Sequence, residues 1–375
     1  MLVLGVNVGW LGPFLPQISG AIHASLDRTG LILSAIAAGY FFALPAGGEL
    51  GHRRGPHFLL IVAMTLDCVG FFGLALAGGL RSSLCAAVVI GFGQCGIEIA
   101  ANALVAELNR DRLAPALNYL HVMFGVGATL GPAIDGFALA HHIGYQATFA
   151  CGAAATATIA AALLLAPAVE LPPNPGQVLN LRSLLAQPLI WAIAFVLFLY
   201  VGAEVGIGAW LFTYLRTAAV PLATSVASAG VSVYWAGLIG GRLLGGRLAH
   251  RISARRLATI GSIIAAISLI ALILVPSPPL LAFPIVALIG FGYGPVFPGM
   301  IAIGAEQFPS RVASMTSFVA GGAALGGILL PWAMGLALVI SGRGASIGLA
   351  LIATMAMLVA FRLAAPSVDR PAVPA

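Results

Sequence analysis

Glu98 sits midway along an apolar run, with Gln94 four residues before it and Asn102 four residues after. That spacing puts the three on one face of a helix, a carboxyl set in a stripe of amides. Ionisable groups at membrane depth cost several kcal/mol on insertion scales, so they mark a pathway or carry a partner. A carboxyl so placed can take up and release a proton as its surroundings change. Glu204 occupies a comparable level in a later run, near Tyr200 and Trp210, and Asp67 stands in an apolar run beside Cys68. Asn118 and His121 are three residues apart and share a face. Amides both donate and accept hydrogen bonds, which suits a polar solute. The candidate binding set is Asn7, Gln17, Gln94, Asn102, Asn118 and His121 from the first half of the chain, with Tyr200, Trp210, Tyr234 and Trp235 from the second. This is chemistry of binding and protonation. No nucleophile–base constellation is evident, which argues against an enzyme, and no cofactor is implied. Cys68, Cys85, Cys95 and Cys151 lack metal-ligand spacing and read as small packing residues. A phosphate-binding loop is excluded, since the chain has no lysine.

The elements that must position these groups follow from composition. Of 375 residues, 61% are hydrophobic and 7% charged, against about 25% charged in soluble domains. So few charges cannot cover a water-soluble surface of this size. A polytopic membrane protein is the consequence, with the lipid bilayer as its main partner. The net charge of +6 does not imply nucleic acid, because the basic residues, all arginine, read as single or short groups in loops between apolar runs. The first apolar stretch has no basic segment ahead of it and carries polar, Gly and Pro positions, so it reads as a span and not a cleaved signal.

A spanning helix needs about 20 mainly apolar residues. Twelve such runs can be marked: 2–22, 29–48, 57–79, 83–107, 114–140, 144–168, 188–215, 222–248, 257–276, 280–306, 312–340 and 344–364. A Pro-bearing connector at 169–187 separates a first six-helix bundle, 1–168, from a second, 188–365, followed by a tail at 366–375. The halves repeat. Gly48 to Gly55 after the second run matches Gly246 to Ser253 after the eighth, 198 residues on. Gly91 and Gly93 match Gly290 and Gly292, and the pair Gly127 and Gly131 matches Gly322 and Gly326. Small residues at that spacing let helices approach closely, while Pro295 predicts a bend in the tenth span. Duplicated halves in transporters place a shared site between the repeats. Counting odd loops as external leaves only Arg28, Arg81, Arg216 and Arg343 outside, so the positive-inside bias puts both termini in the cytoplasm.

These landmarks resemble the major facilitator superfamily. Gly48, Leu50, Arg53 and Gly55 match its signature loop, with His52 where the family has an acid; His250 stands at the same place in the second copy, beside Gly246 and Arg251. The resemblance implies a gating role for these residues, and the paired histidines leave helix-end contacts or pH sensitivity open. A closer resemblance, to the fucose/glucose/galactose–cation symporters, rests on Leu15 to Gln17, Gly39 to Gly47, Gly96 to Ala103, Leu117 to His121 and Tyr200 to Val205. Gly12 stands where the fucose symporters carry an essential acid. The fifth span also resembles the Gly-Pro pattern of drug–proton antiporters, with Asp135 in place of one glycine.

The resulting expectation is an all-α integral membrane protein of twelve transmembrane helices in two pseudo-symmetric bundles. It is a monomer in the inner membrane. It imports a hexose or similar small polar solute with a coupling ion, a proton or alternatively sodium. Glu98 and Glu204 are the ion-coupling residues. A drug–proton antiporter and a non-transporting receptor on a carrier fold are the rival readings.

Overall fold

A computed structural model describes residues 1–109, 113–166, 186–218, 221–274, 279–308 and 312–363. Every regular element among them is helical. In chain order they are α1 (Leu2–Gly9), α2 (Leu11–Ala21), α3 (Leu26–Arg54), α4 (Pro56–Ala75), α5 (Leu80–Leu108), α6 (Leu113–Ala140) and α7 (Tyr145–Leu165). Then follow α8 (Pro188–Arg216), α9 (Thr224–Leu248), α10 (Ala254–Leu274), α11 (Pro279–Tyr293), α12 (Val296–Gln307), α13 (Val312–Ser341) and α14 (Arg343–Leu363).

Proline accounts for two departures from straight spans. The first expected span is two helices bent by 50°. Pro13 has no N–H for the Gly9 carbonyl one turn back and its ring crowds that oxygen, so the axis breaks there. Pro295 acts likewise on the tenth span, where α11 ends at Tyr293 and α12 begins at Val296. A break stands where the sequence predicts a bend, and the two helices together still make one apolar span.

Among the described residues ten helices are long and apolar enough to cross a membrane, or eleven with α1 and α2 taken as one span. The remaining expected span, 222–248, is the helix α9. It has the length, at 25 residues, but Arg242, Arg247 and three serines make it less apolar than the others. The expected loop at Gly48 to Gly55 is also corrected. Helix α3 runs on to Arg54, and Gly55 alone joins it to α4. Its φ of +82° suits glycine, and Pro56 at the start of α4 needs no donor.

Contacts divide the chain into two compact units, Met1–Gln177 and Val178–Ala375. The expected connector at 169–187, save its last two residues, and the tail at 366–375 lie outside the described residues. In the first unit α4 and α3 pack on α5, α1 on α6 and α4 on α7. In the second, α10 and α9 pack on α11, α8 on α13 and α10 on α14. Helix pairs therefore recur as the sequence repeats do. Gly91 of α5 abuts the Ile36 carbonyl of α3, and Gly290 of α11 abuts the Tyr234 carbonyl of α9; a Cβ at either would overlap the oxygen. Without a hydrophobic force between helices in lipid, such close backbone approach is what holds them.

The first unit also closes around an aromatic group. Trp10 meets Phe71 and Phe149 at centroid distances of 5.0 and 5.2 Å, and Phe14 meets Phe149 edge-on at 5.5 Å. These contacts tie the broken first span to α4 and α7. Outward, Phe72, Leu164, Ile267, Leu274 and Ile352 are exposed on helices of spanning length, a surface that a bilayer covers and water does not. Cys95 is buried as a packing residue, whereas Cys85 and Cys151 are exposed, so the packing role expected of all four does not hold for those two.

Candidate functional site

In the first unit the site centres on α5. Glu98 is half-buried, and the Tyr40 hydroxyl of α3 donates to its Oε2 at 3.0 Å. Tyr40 reaches across because Gly39 beside it lets α3 lie against α5, its Cα close to the Val88 carbonyl. One turn before Glu98, Gln94 is 6% exposed, and its Nε2 has no hydrogen-bond partner among the described residues. An amide donor buried without a partner costs about 1–3 kcal/mol, and buried donors are ordinarily bonded. One turn after Glu98, Asn102 donates its amide to the Glu98 main-chain carbonyl at 2.8 Å, which directs that donor to its own helix.

Other expected residues of this unit are placed differently. Asn7 is 2% exposed and donates to Asp67 Oδ2 at 2.7 Å. That bond ties α1 to α4, and Asp67 is itself fully buried with Oδ1 unpartnered among the described residues. Gln17 is exposed and accepts from the Tyr145 N–H at 2.8 Å, satisfying one of the open donors at the start of α7. Both amides are thus structural in this geometry, and neither belongs to the group around Glu98. His121 is half-buried on α6. The side chain of Asn118 lies outside the described residues. Asp135 of α6 is 0% exposed, with neither oxygen paired among the described residues.

In the second unit the polar centre lies between α8 and α9. Glu204 Oε1 accepts from Arg242 Nη2 at 3.1 Å, and the same nitrogen lies 3.5 Å from the Tyr200 hydroxyl. The Tyr234 hydroxyl donates to the Glu204 carbonyl at 2.9 Å. Tyr200 packs edge-on against Tyr293 of α11, centroids 5.8 Å apart, and the Tyr293 hydroxyl bonds Thr354 of α14 at 2.7 Å. Four helices therefore meet in one hydroxyl-rich network around a single ion pair. A pair buried to this degree is weak evidence for stability, since desolvation offsets much of the attraction, but removing one partner leaves a costly lone charge.

Two aromatic expectations are corrected. Trp210 is fully buried; its Nε1 donates to the Pro331 carbonyl at 2.7 Å and its ring fills the space above Gly335. It packs α8 on α13 and presents no face to a solute. Trp235 is 2% exposed and lies on Gly208, its Nε1 buried without a partner among the described residues. The group the sequence reading missed is Arg242. All arginines were assigned to loops, yet this one sits nearly two turns inside α9. Its signal was available, as a charge six residues inside the end of a run marked 222–248.

The signature residues are at the surface. Gly48 and Gly246 have open space beside them. His52, Arg53, His250 and Arg251 are exposed, and Arg53 pairs with Glu49 one turn back on α3. Such an exposed pair contributes little to stability. Among the described residues no group of His, Cys, Asp and Glu could hold a metal ion.

Comparison with known proteins agrees with this architecture. The family model described as Major Facilitator Superfamily matches residues 1–331 and 231–374. The sodium-dependent glucose transporter 1A of Mus musculus is 21% identical over 371 residues, covering 89% of this chain and 87% of that protein. The enterobactin exporter EntS of Escherichia coli O1:K1 / APEC is 29% identical over 202 residues, 50% of this chain and 48% of the exporter, so the match spans about half of each. The crystal structure of the E. coli fucose:proton symporter FucP superposes with a TM-score of 0.68 at 18% identity, covering 98% of this chain and 97% of that one.

Proposed function

The chain belongs to the major facilitator superfamily and is a membrane transporter, not an enzyme; on that premise we propose that it imports a hexose or similar small polar solute by symport with a proton. The carrying observation is the Glu98 carboxyl, bonded to Tyr40 and flanked by the buried, unpartnered amide of Gln94. Protonation of Glu98 with solute bound removes the cost of holding a charge away from water and favours closure, so proton and solute move together. The similarity to a glucose transporter supports the solute class. Its sodium dependence is the reason to test both ions. In this reading the protein lies in the inner membrane with both termini in the cytoplasm, as the arginine bias favours.

Uptake in proteoliposomes tests it. Glu98→Gln abolishes uptake against a gradient but retains counterflow exchange, because a permanently neutral side chain still binds and turns over. Unimpaired concentrative uptake by that variant refutes the assignment. Replacing sodium by choline at fixed pH separates the two ions. The half-length match to an enterobactin exporter favours export as the second reading, under which overexpression raises resistance to lipophilic compounds and sugars drive no proton flux.

A further inference from the structure

The outward face of the first unit carries a groove that draws on α4 and α7 and takes no part in the group around Glu98. Among the described spans α7 is the least buried, at 28%. Where it lies against α4, a groove of about 190 Å³ opens between them. Ile61, Thr65 and Cys68 of α4 form one wall, and Ala157, Ala161 and Leu164 of α7 form the other. At about 100° per residue the three α4 positions fall within an arc of about 60°, so that wall runs along the helix. The space is there because α7 presents alanines, whose methyl groups do not fill it. The Thr65 hydroxyl donates to the Ile61 carbonyl at 2.8 Å, so the walls offer an occupant little but hydrocarbon. A sugar would lose its hydrogen bonds to water there and gain few in return.

The groove has a charged end. His57 Nε2 lies 2.9 Å from the Leu163 carbonyl, which sets the start of α4 level with the end of α7. Arg54, the last residue of α3, holds its guanidinium carbon 5.7 Å from the centre of the Phe58 ring. Around α4, Phe58 is about 20° from Thr65, on the flank of the groove. Arg53 is paired with Glu49, whereas Arg54 meets no carboxylate among the described residues. From Phe58 to Cys68 is about 15 Å at 1.5 Å per residue. That is the depth of one leaflet, half of an apolar core about 30 Å thick. A free cation at one end of an apolar trough one leaflet deep matches the two parts of a phospholipid.

We propose that this groove retains one anionic phospholipid, with an acyl chain between α4 and α7 and the phosphate on Arg54. A guanidinium suits a phosphate because its fork gives two parallel hydrogen bonds, and the aromatic ring beneath it limits where the fork can go. Net charge selects the headgroup. Glu49 cancels Arg53, so the charge of Arg54 stands alone and favours a net-negative lipid over a zwitterionic one, whose own amine competes for the phosphate. An alanine-lined groove also suits a helix of a second copy, since small residues let helices approach. A symmetric pair of copies sharing this face would bring Arg54 toward Arg54, like charge against like. The charged end therefore argues for lipid. A chain seated there braces α4 against α7 beside the single-residue joint at Gly55.

The test titrates the purified full chain in detergent with phosphatidylglycerol or phosphatidylcholine and counts bound lipid by native mass spectrometry. The expected result is one phosphatidylglycerol held about fivefold more tightly than phosphatidylcholine, the worth of one arginine at an anionic surface. Ala161→Phe, which fills the trough, loses that molecule. Arg54→Gln keeps the trough and binds the two lipids equally. Both positions are exposed, and size-exclusion profiles matching the native protein verify folding. Phosphatidylglycerol bound at native strength by Ala161→Phe overturns the proposal. So does a preference for it that survives in Arg54→Gln, a variant that leaves the packing between helices alone. Equal binding of the two lipids by the native protein overturns it as well. A dimer that Ala161→Phe dissolves assigns the groove to a second copy and overturns it too. Each of these outcomes leaves solute import standing.

Discussion

Substituting Trp210 by Phe separates packing from recognition. The indole is fully buried, donates to the Pro331 carbonyl at 2.7 Å and lies on Gly335, where a Cβ would overlap the ring. Phenylalanine keeps a flat ring but has no N–H and less volume. Leaving that carbonyl buried and unpaired costs about 1–3 kcal/mol. The unfilled space adds about 1 kcal/mol, so the variant loses about 2–4 kcal/mol altogether. The assay is the fraction remaining monodisperse after heating in detergent, read beside KM for the transported solute. A melting profile shifted down with KM unchanged is the expected pair. If instead KM rises about tenfold while the melting profile stays in place, the indole contacts solute and the packing assignment is wrong.

Further outcomes follow from the same contacts. Gly290→Ala and Gly48→Ala make one chemical change with opposite signs in the same heating assay. The first forces a Cβ into the Tyr234 carbonyl and costs about 1–3 kcal/mol, whereas the second meets open space on a helix and stabilises by about 0.5–1 kcal/mol. Asn7→Ala strips Asp67 of the hydrogen bond that Asn7 donates, and should destabilise by about 1–3 kcal/mol; Asn7→Ser, which still has a donor, should recover part of that loss.

Span positions, duplication and close-packed glycines were readable because each leaves a mark at fixed spacing: long apolar runs, landmarks about two hundred residues apart, small residues every fourth position. Glu98 and Glu204 were readable as acids out of place. What escaped was set by three-dimensional partnership. Nothing local distinguishes the Asn7 amide, held by Asp67 sixty residues away, from the Gln94 amide, held by none of the described residues. Trp210 was counted in the binding set because its partner, Pro331, lies in another helix 121 residues on. Arg242 was misassigned for a different reason, because loop arginines are common and a charge near the end of a span is easily counted with them. The bend at Trp10 was missed although Pro13 announces it, since a run of apolar residues reports length and not straightness.

The two halves have drifted so far that few side chains still correspond, yet Gly91 and Gly290 rest on carbonyls of matching residues, Ile36 and Tyr234. Every substitution of a glycine by another amino acid installs a side chain. At those two places any such atom meets an oxygen that cannot retreat without parting two helices. An ancestral duplication can therefore rewrite its polar groups freely, gaining an Arg242 in one copy and an Asp67 in the other. What it cannot rewrite are the points where backbone touches backbone, and these are where the common origin stays visible.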